Sequence, residues 1–218
     1  MYGIVFDVCG KYANIALLKD GETVEKFSQS ADFGQADFIL PQIKELTQKQ
    51  GVDIKDLAFV SATTGPGSFA GLRAGISIVK GLSIALPELK VIGINCFEVY
   101  LSEIKNLSDC NLIVIETKRE DFYVQMFNAK KEPLIEPLNA SREDIISMIK
   151  NKKVSIIGDG VERFLNVSTG IGFNEVVLSD CLSLKALCDL AYHKYQKKEF
   201  NFVKPLYIKE GIVKNESC

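Results

Sequence analysis

Apolar residues come in short blocks along this chain, and the blocks change period in a regular order. Ile4-Val5-Phe6 runs into Asp7, and Ile15-Ala16-Leu17-Leu18 follows a short polar turn. Both blocks read as buried strands, being too short for helices and bounded by turn residues. Lys19 to Glu22 reads as a hairpin into a third strand. From Gln35 to Gln50 the spacing becomes helical, with Ile39, Ile43, Leu46 and Gln50 on one side and Gln42, Glu45 and Lys49 opposite. Phe38 and Leu40 widen the apolar arc enough to leave surface for a partner, and Pro41 marks either the true start of the helix or a kink.

A further strand, Leu57 to Ala62, leads into Gly65-Pro66-Gly67-Ser68, and a helix opens near Phe69. From Ala70 to Leu86 its only charges are Arg73 and Lys80, seven residues apart and so on one face. A helix apolar nearly all round is buried on more than one side, and the second side is expected to belong to a partner. Gly75 and Gly81 lie in its interior, where each costs about 1 kcal/mol relative to Ala. Close backbone approach by another element is the expected compensation.

The second half repeats the first at an offset of 109 residues. Ile113-Val114-Ile115-Glu116 falls on Ile4-Val5-Phe6-Asp7, and Val124-Gln125-Met126-Phe127 on Ile15-Ala16-Leu17-Leu18. A hairpin at Asn128 to Glu132 follows, then a helical pattern near Arg142 to Asn151 with Ser141 as N-cap and Asp144 three residues on. Val154 to Gly158-Asp159-Gly160 matches the strand and glycine turn of the first half. A last helix, about Leu182 to Lys198, is assigned to the second half with Asp180 or Ser179 as its cap. Leu184, Leu187, Cys188, Ala191 and Tyr195 line one side of it. The pattern predicts an α/β protein of two duplicated βββαβα halves, divided at 1–100 and 101–218, in the actin-like ATPase architecture. Fold alone fixes no function.

Composition narrows the picture. The 218 residues, 47% hydrophobic, suffice for one large or two small domains, and a net charge of -2 gives no general attraction to nucleic acid or anionic membrane. Lysine runs at Lys150 to Lys153 and Lys194 to Lys198 read as solvated helix ends. Cys9, Cys96, Cys110, Cys181, Cys188 and Cys218 are scattered without a C-x-x-C, as in a reduced cytoplasmic protein. The first twenty residues lack a basic start and carry Asp7, unlike a signal peptide, and no run approaches a membrane span.

Candidate chemistry centres on the strand ends. The turn at Gly65, Gly67 and Ser68 has no following G-K-[ST], and its G-x-G-x-x-x-G spacing exceeds the dinucleotide fingerprint by one residue. It reads either as a packing turn or as a phosphate contact. Asp7 and Glu116 could hold a metal-bound water in an ATPase of this architecture, with Lys118 or Arg119 near the phosphates, or serve as plain turn residues. His193 is the single histidine and sits between Asp189 and Lys197 on a solvent face, which excludes an H-x-x-x-H metal pair and disfavours a Ser-His-Asp or Cys-His enzyme.

Gly65-Pro66-Gly67-Ser68-Phe69-Ala70-Gly71-Leu72-Arg73 resembles the G-P-G-S-F-T-G-L-R signature of the TsaB (YeaZ) family, differing only at Ala70. Glu116-Thr117-Lys118-Arg119-Glu120-Asp121-Phe122-Tyr123, Gly158-Asp159-Gly160 and Pro205-Leu206-Tyr207-Ile208 are similar to further family elements. The resemblance implies a non-catalytic subunit of bacterial tRNA threonylcarbamoyladenosine formation without a cofactor of its own. Its partners would be the catalytic paralogue TsaD, the small ATPase TsaE and, through the complex, tRNA. Pairing with TsaD, or with a second copy of itself, is expected through the first two helices, with Ile39, Ile43, Leu46, Phe69, Leu72, Arg73, Gly75, Ile76 and Val79 as interface candidates. Asp7, Gly65, Gly67, Ser68, Glu116 and Lys118 are the nucleotide-binding candidates. Asp7-Val8-Cys9 departs from the family's D-T-S and removes two hydroxyls that could bond a phosphate, and residues 28–38 lack the histidine many relatives carry there. The contrasting expectation is an independent nucleotide-dependent enzyme of the ATPase or sugar-kinase kind.

Overall fold

The computed structural model describes residues 1–30, 35–166, 171–201 and 203–208. Cys218 and residues 31–34 of the histidine-free segment lie outside them. The chain divides into two units, the first Met1–Val99 with Cys181–Leu206, the second Tyr100–Asp180 with the segment from Tyr207 onward.

In the first unit, β1 (Tyr2–Asp7), β2 (Tyr12–Lys19) and β3 (Glu22–Ser30) form an antiparallel meander. Asp20 and Gly21, both at positive φ, make the tight hairpin between the last two. Helix α1 (Gln35–Lys49) leads through a short 3-10 turn to β4 (Leu57–Thr63), and α2 (Phe69–Ala85) leads to β5 (Lys90–Ile94). The sheet order is β3-β2-β1-β4-β5, with β4 parallel to both of its neighbours. Alternation along β4 splits the packing. Val60 and Ala62 join Ile39, Ile43, Leu46, Ile76 and Val79 in one core beneath α1 and α2.

Helix α3 (Cys96–Glu103) precedes the second unit's strands β6 (Cys110–Glu116), β7 (Phe122–Phe127) and β8 (Leu138–Ala140). Then come α4 (Arg142–Ile149), β9 (Val154–Gly158), α5 (Val161–Leu165) and β10 (Phe173–Leu178). Their sheet order, β10-β9-β6-β7-β8, is the first sheet's order read from the other edge, with the same parallel and antiparallel pairings. The 109-residue offset therefore marks a true structural repeat: β1 ends at Asp7 and β6 at Glu116. Ser141 caps α4 in a full capping box with Asp144.

Several elements differ from expectation. Each half carries a fifth strand, β5 or β10, and α3 follows β5; the short runs Lys90–Ile94 and Cys96–Glu103 gave no distinct periodic signal. The final helix, α6 (Leu184–Gln196), is capped by Ser183 and packs on β1, β2 and β5 of the first unit, not on the second half. The reason lies on the other face of β4: Phe59 is fully buried and stacks on Tyr195 at 4.9 Å, so the first sheet needs a cover there and α6 supplies it. Helix α1 runs from Gln35 through Pro41, which is therefore not its start.

Residues after α6 finish the exposed edge of β5. Asn201 donates its backbone N–H to the Val91 carbonyl at 3.2 Å. Its side-chain amide accepts from the Gly93 N–H at 2.6 Å and donates to the Gly93 carbonyl at 3.2 Å. One asparagine thus takes the place of a sixth strand.

Candidate functional site

The strand-end acid of the first unit is sealed inside its own chain. Asp7 is 2% exposed, and its Oδ1 accepts from Thr63 Oγ1 at 2.7 Å, the Cys9 thiol at 2.9 Å and the Cys9 N–H at 3.1 Å. The Cys9 sulfur also lies 3.2 Å from Thr63 Oγ1 and 3.6 Å from the Cys96 sulfur. The hydrogen bond to Cys96, burial and the neighbouring Asp7 carboxylate hold the Cys9 thiol well above its ordinary pKa. A thiol kept protonated is a weak nucleophile, so Cys9 serves here as a donor.

The glycine turn faces the same cluster. The Ser68 N–H donates to the Cys9 carbonyl at 2.7 Å, the Ser68 hydroxyl accepts from the Gly71 N–H at 3.3 Å, and the Gly65 carbonyl accepts from Cys96 N–H at 2.8 Å. Leu206 N–H holds the Thr64 carbonyl at 2.7 Å. A Cβ on Gly67 would run into the Cys9 carbonyl, so packing alone requires glycine there. Two amides that a phosphate would need, those of Ser68 and Gly71, are committed to the protein's own oxygens.

Glu116, the repeat of Asp7, is committed in a different way. Arg163 forks onto it, Nε to Oε2 and Nη2 to Oε1, both at 2.7 Å, while the Lys118 N–H donates to Oε1 at 2.7 Å. Arg163 also reaches the Asp121 carbonyl at 2.8 Å and lies 3.8 Å over the Phe122 ring. Burial raises the Glu116 pKa, but the Arg163 hydrogen bonds and charge and the Lys118 amide outweigh it, leaving the carboxyl below its usual range. The Glu116 N–H donates to Asp159 Oδ1 at 2.9 Å, and the Gly160 N–H to the Val114 carbonyl of β6 at 3.1 Å. Lys118 is exposed, at a positive φ.

Arg163 escaped the sequence reading. Its signal was faint: a cation three residues past Gly160, on the first turns of a helix aimed at the strand-end acid. Arg163→Ala is expected to cost about 1–2 kcal/mol, the lower part of the range for bonds to charged groups because the pair is partly exposed. Since the folded pKa of Glu116 lies below its unfolded value of about 4.3, the pair stabilises fully above that pH and is lost as pH falls through the folded pKa. Unfolding of the wild type and of Glu116→Gln followed from pH 7 to pH 3 should therefore converge at the acid end.

Seven of the nine interface candidates lie in the first unit's own interior: Ile39, Ile43, Leu46, Leu72, Gly75, Ile76 and Val79 are all buried. The apolar stripe expected to meet a partner is the stripe that meets the sheet. What α2 leaves uncovered is the opposite strip, Phe69, Ala70, Arg73, Ser77, Lys80, Gly81, Ile84 and Ala85. Phe69 is 53% exposed with Arg73 stacked 3.8 Å over its ring, and Ile84 is 80% exposed. On α1, Leu40 is 44% exposed. The two interior glycines also part company. A Cβ on Gly75 would lie 2.9 Å from Val8 Cγ2 and 3.3 Å from Phe6 Cε2, whereas one on Gly81 would meet nothing within 4 Å.

Comparison with known proteins fits this geometry to a family. The family model of TsaD, tRNA N6-adenosine threonylcarbamoyltransferase, matches residues 35–200. A tRNA threonylcarbamoyladenosine biosynthesis protein TsaB from Buchnera aphidicola subsp. Baizongia pistaciae is 24% identical over 185 residues, covering 79% of this chain and 82% of its own. The chain belongs to the TsaD family, on its TsaB (YeaZ) branch. Among solved structures, YeaZ from Pseudomonas aeruginosa superposes with a TM-score of 0.76 at 17% identity, covering 95% of this chain and 99% of its own. Lmo2764 of Listeria monocytogenes, assigned as an N-acetylmannosamine kinase, gives 0.55 at 12% identity over 91% and 100%. Both likenesses speak to fold, and they place this TsaB-branch chain in the actin-like ATPase architecture. Its Cys9, where the TsaB pattern has a hydroxyl, turns a sulfur toward Asp7 and Cys96 inside the chain. Among the described residues no helix is long and apolar enough to cross a membrane.

Proposed function

We propose that this chain is a cytoplasmic, non-catalytic subunit of the machinery that forms threonylcarbamoyladenosine in tRNA, docking a TsaD-like catalytic paralogue through the uncovered strip of α2 and the exposed Leu40 of α1. The carrying observation is that strip. It runs over about 22 Å of helix from Phe69 to Ile84, bulky and apolar at its ends, with the small Ala70, Ser77 and Gly81 and the cations Arg73 and Lys80 between them. Small residues on an exposed helix face let a second backbone approach closely, and Gly81, which fills no space in its own chain, has its use there. The non-catalytic part of the reading is supported by the strand-end acids, where Asp7 Oδ1 is taken up by Thr63 and Cys9 and both Glu116 oxygens by Arg163. A TsaE-like ATPase and tRNA would join through the paralogue, and the same strip would pair two copies of this chain when the paralogue is absent.

Co-expression with the TsaD-like protein of the same cell tests the reading directly. A stable complex on gel filtration, with no ATP turnover by the isolated chain, is the expected outcome. Micromolar ATP binding with turnover by the isolated chain in calorimetry would instead establish the independent enzyme, and failure to co-purify would remove the docking role.

A further inference from the structure

Strand register gathers the second unit's lysines at one end of its sheet. β7 runs antiparallel to β6 with Asn111 opposite Phe127, and β9 runs parallel to β6 with Val154 opposite Cys110. The loop before β6, the turn after β7 and the turn before β9 therefore share one end, opposite to Glu116. They carry Lys105, Lys130, Lys131, Lys150, Lys152 and Lys153 against Asp109 and Glu132, with the Glu175 carboxylate of β10 accepting from the Asn106 N–H at 2.8 Å beside them. All six lysines are exposed, and among the described residues none forms an ion pair. In a chain of net charge -2 this is segregation of charge, not an excess of it.

The loops that carry these lysines are fixed from beneath. Asn111, fully buried, accepts from the Ser108 N–H at 2.9 Å and donates to the Ser108 and Asn128 carbonyls at 2.8 and 3.0 Å, tying the first loop to the second. Ser108 Oγ accepts from the Ser155 N–H at 3.1 Å, tying the first loop to the start of β9, which the third turn enters. The Asn128 side chain holds the Lys130 and Glu132 amides at 2.8 and 3.0 Å, and its Nδ2 occupies the Glu132 carboxylate at 2.8 Å. With neighbouring strands about 4.8 Å apart, the lysine turns after β7 and before β9 stand about 10 Å from each other across β6. Unpaired cations held at a fixed spacing are suited to a polyanion with regularly spaced charges.

We propose that this end of the second sheet grips the phosphodiester backbone of the tRNA on which the complex acts; the inference rests on the tRNA-modification reading above. Contacts of this kind position an RNA without reading its sequence. The test compares the complex of the catalytic paralogue with wild-type chain and with the quadruple variant Lys130→Glu, Lys131→Glu, Lys152→Glu, Lys153→Glu, measuring tRNA affinity by fluorescence anisotropy across a salt series. The variant is expected to keep its melting temperature and its partner, to bind tRNA on the order of tenfold more weakly, and to lower the salt-dependence slope by about 3. An unchanged affinity and slope in an intact complex would overturn the proposal. If the wild type fails to bind the paralogue, the docking role falls, and the isolated chains at low salt decide the RNA surface by themselves: weaker tRNA binding by the variant sustains it, equal binding ends it. Capture of phosphatidylserine vesicles by the wild type, with tRNA affinity indifferent to the four substitutions, would assign the patch to a membrane and overturn the proposal as well.

Discussion

Gly75→Leu is expected to unfold this protein more readily, not to detach it from a partner. The position lies on the buried side of α2, and even a methyl group there would stand 2.9 Å from Val8 and 3.3 Å from Phe6, which are 2% and 0% exposed. A leucine adds three more carbons in a space that holds none. Overpacking of this kind costs about 3 kcal/mol or more at a site with no room to relax. For a chain of this size that lowers the melting temperature by about 6–12 °C, readable by circular dichroism. Unaltered melting together with lost partner binding would return Gly75 to the interface.

Gly81→Arg should do the reverse. Nothing lies within 4 Å of a Cβ at Gly81, and the substitution removes a helix-interior glycine, a gain of up to about 1 kcal/mol. The isolated chain is therefore expected to melt at the same temperature or slightly above it. Association, with the paralogue or with a second copy, should weaken by on the order of a hundredfold, since a long side chain would stand where the strip lets a second backbone approach closely. Analytical ultracentrifugation of the free chain and pull-down of the complex both read this. Wild-type association by the variant would remove the α2 strip from consideration.

The contrast between these two glycines shows what was legible in the sequence. The repeat was, because strand-end acids and glycine turns recur at a fixed offset, and so were α1, α2 and α4 from their periodicity and caps. That α2 has two kinds of face was also readable, but not which face turns inward: a helix apolar nearly all round gives no phase, and only Val8 and Phe6 on the neighbouring strand and loop decide it. The reach of Arg163 to Glu116 and of Asn201 to Gly93 spans 47 and 108 residues, and no local pattern announces pairings of that length. Helix α6 was found with its apolar side correct and its destination wrong, since the face it covers is built by strands about ninety residues or more earlier.

That last pairing sets an order on biosynthesis. The residues that complete the first unit, Cys181–Leu206, leave the ribosome roughly 5–20 s after Val99 at ordinary elongation rates. During that interval the early-made sheet has Phe59 bare on one side and an open β5 margin, while the second sheet is being produced. A nascent chain in this condition is a natural client for chaperones, and a stop codon after Asp180 would leave it so permanently.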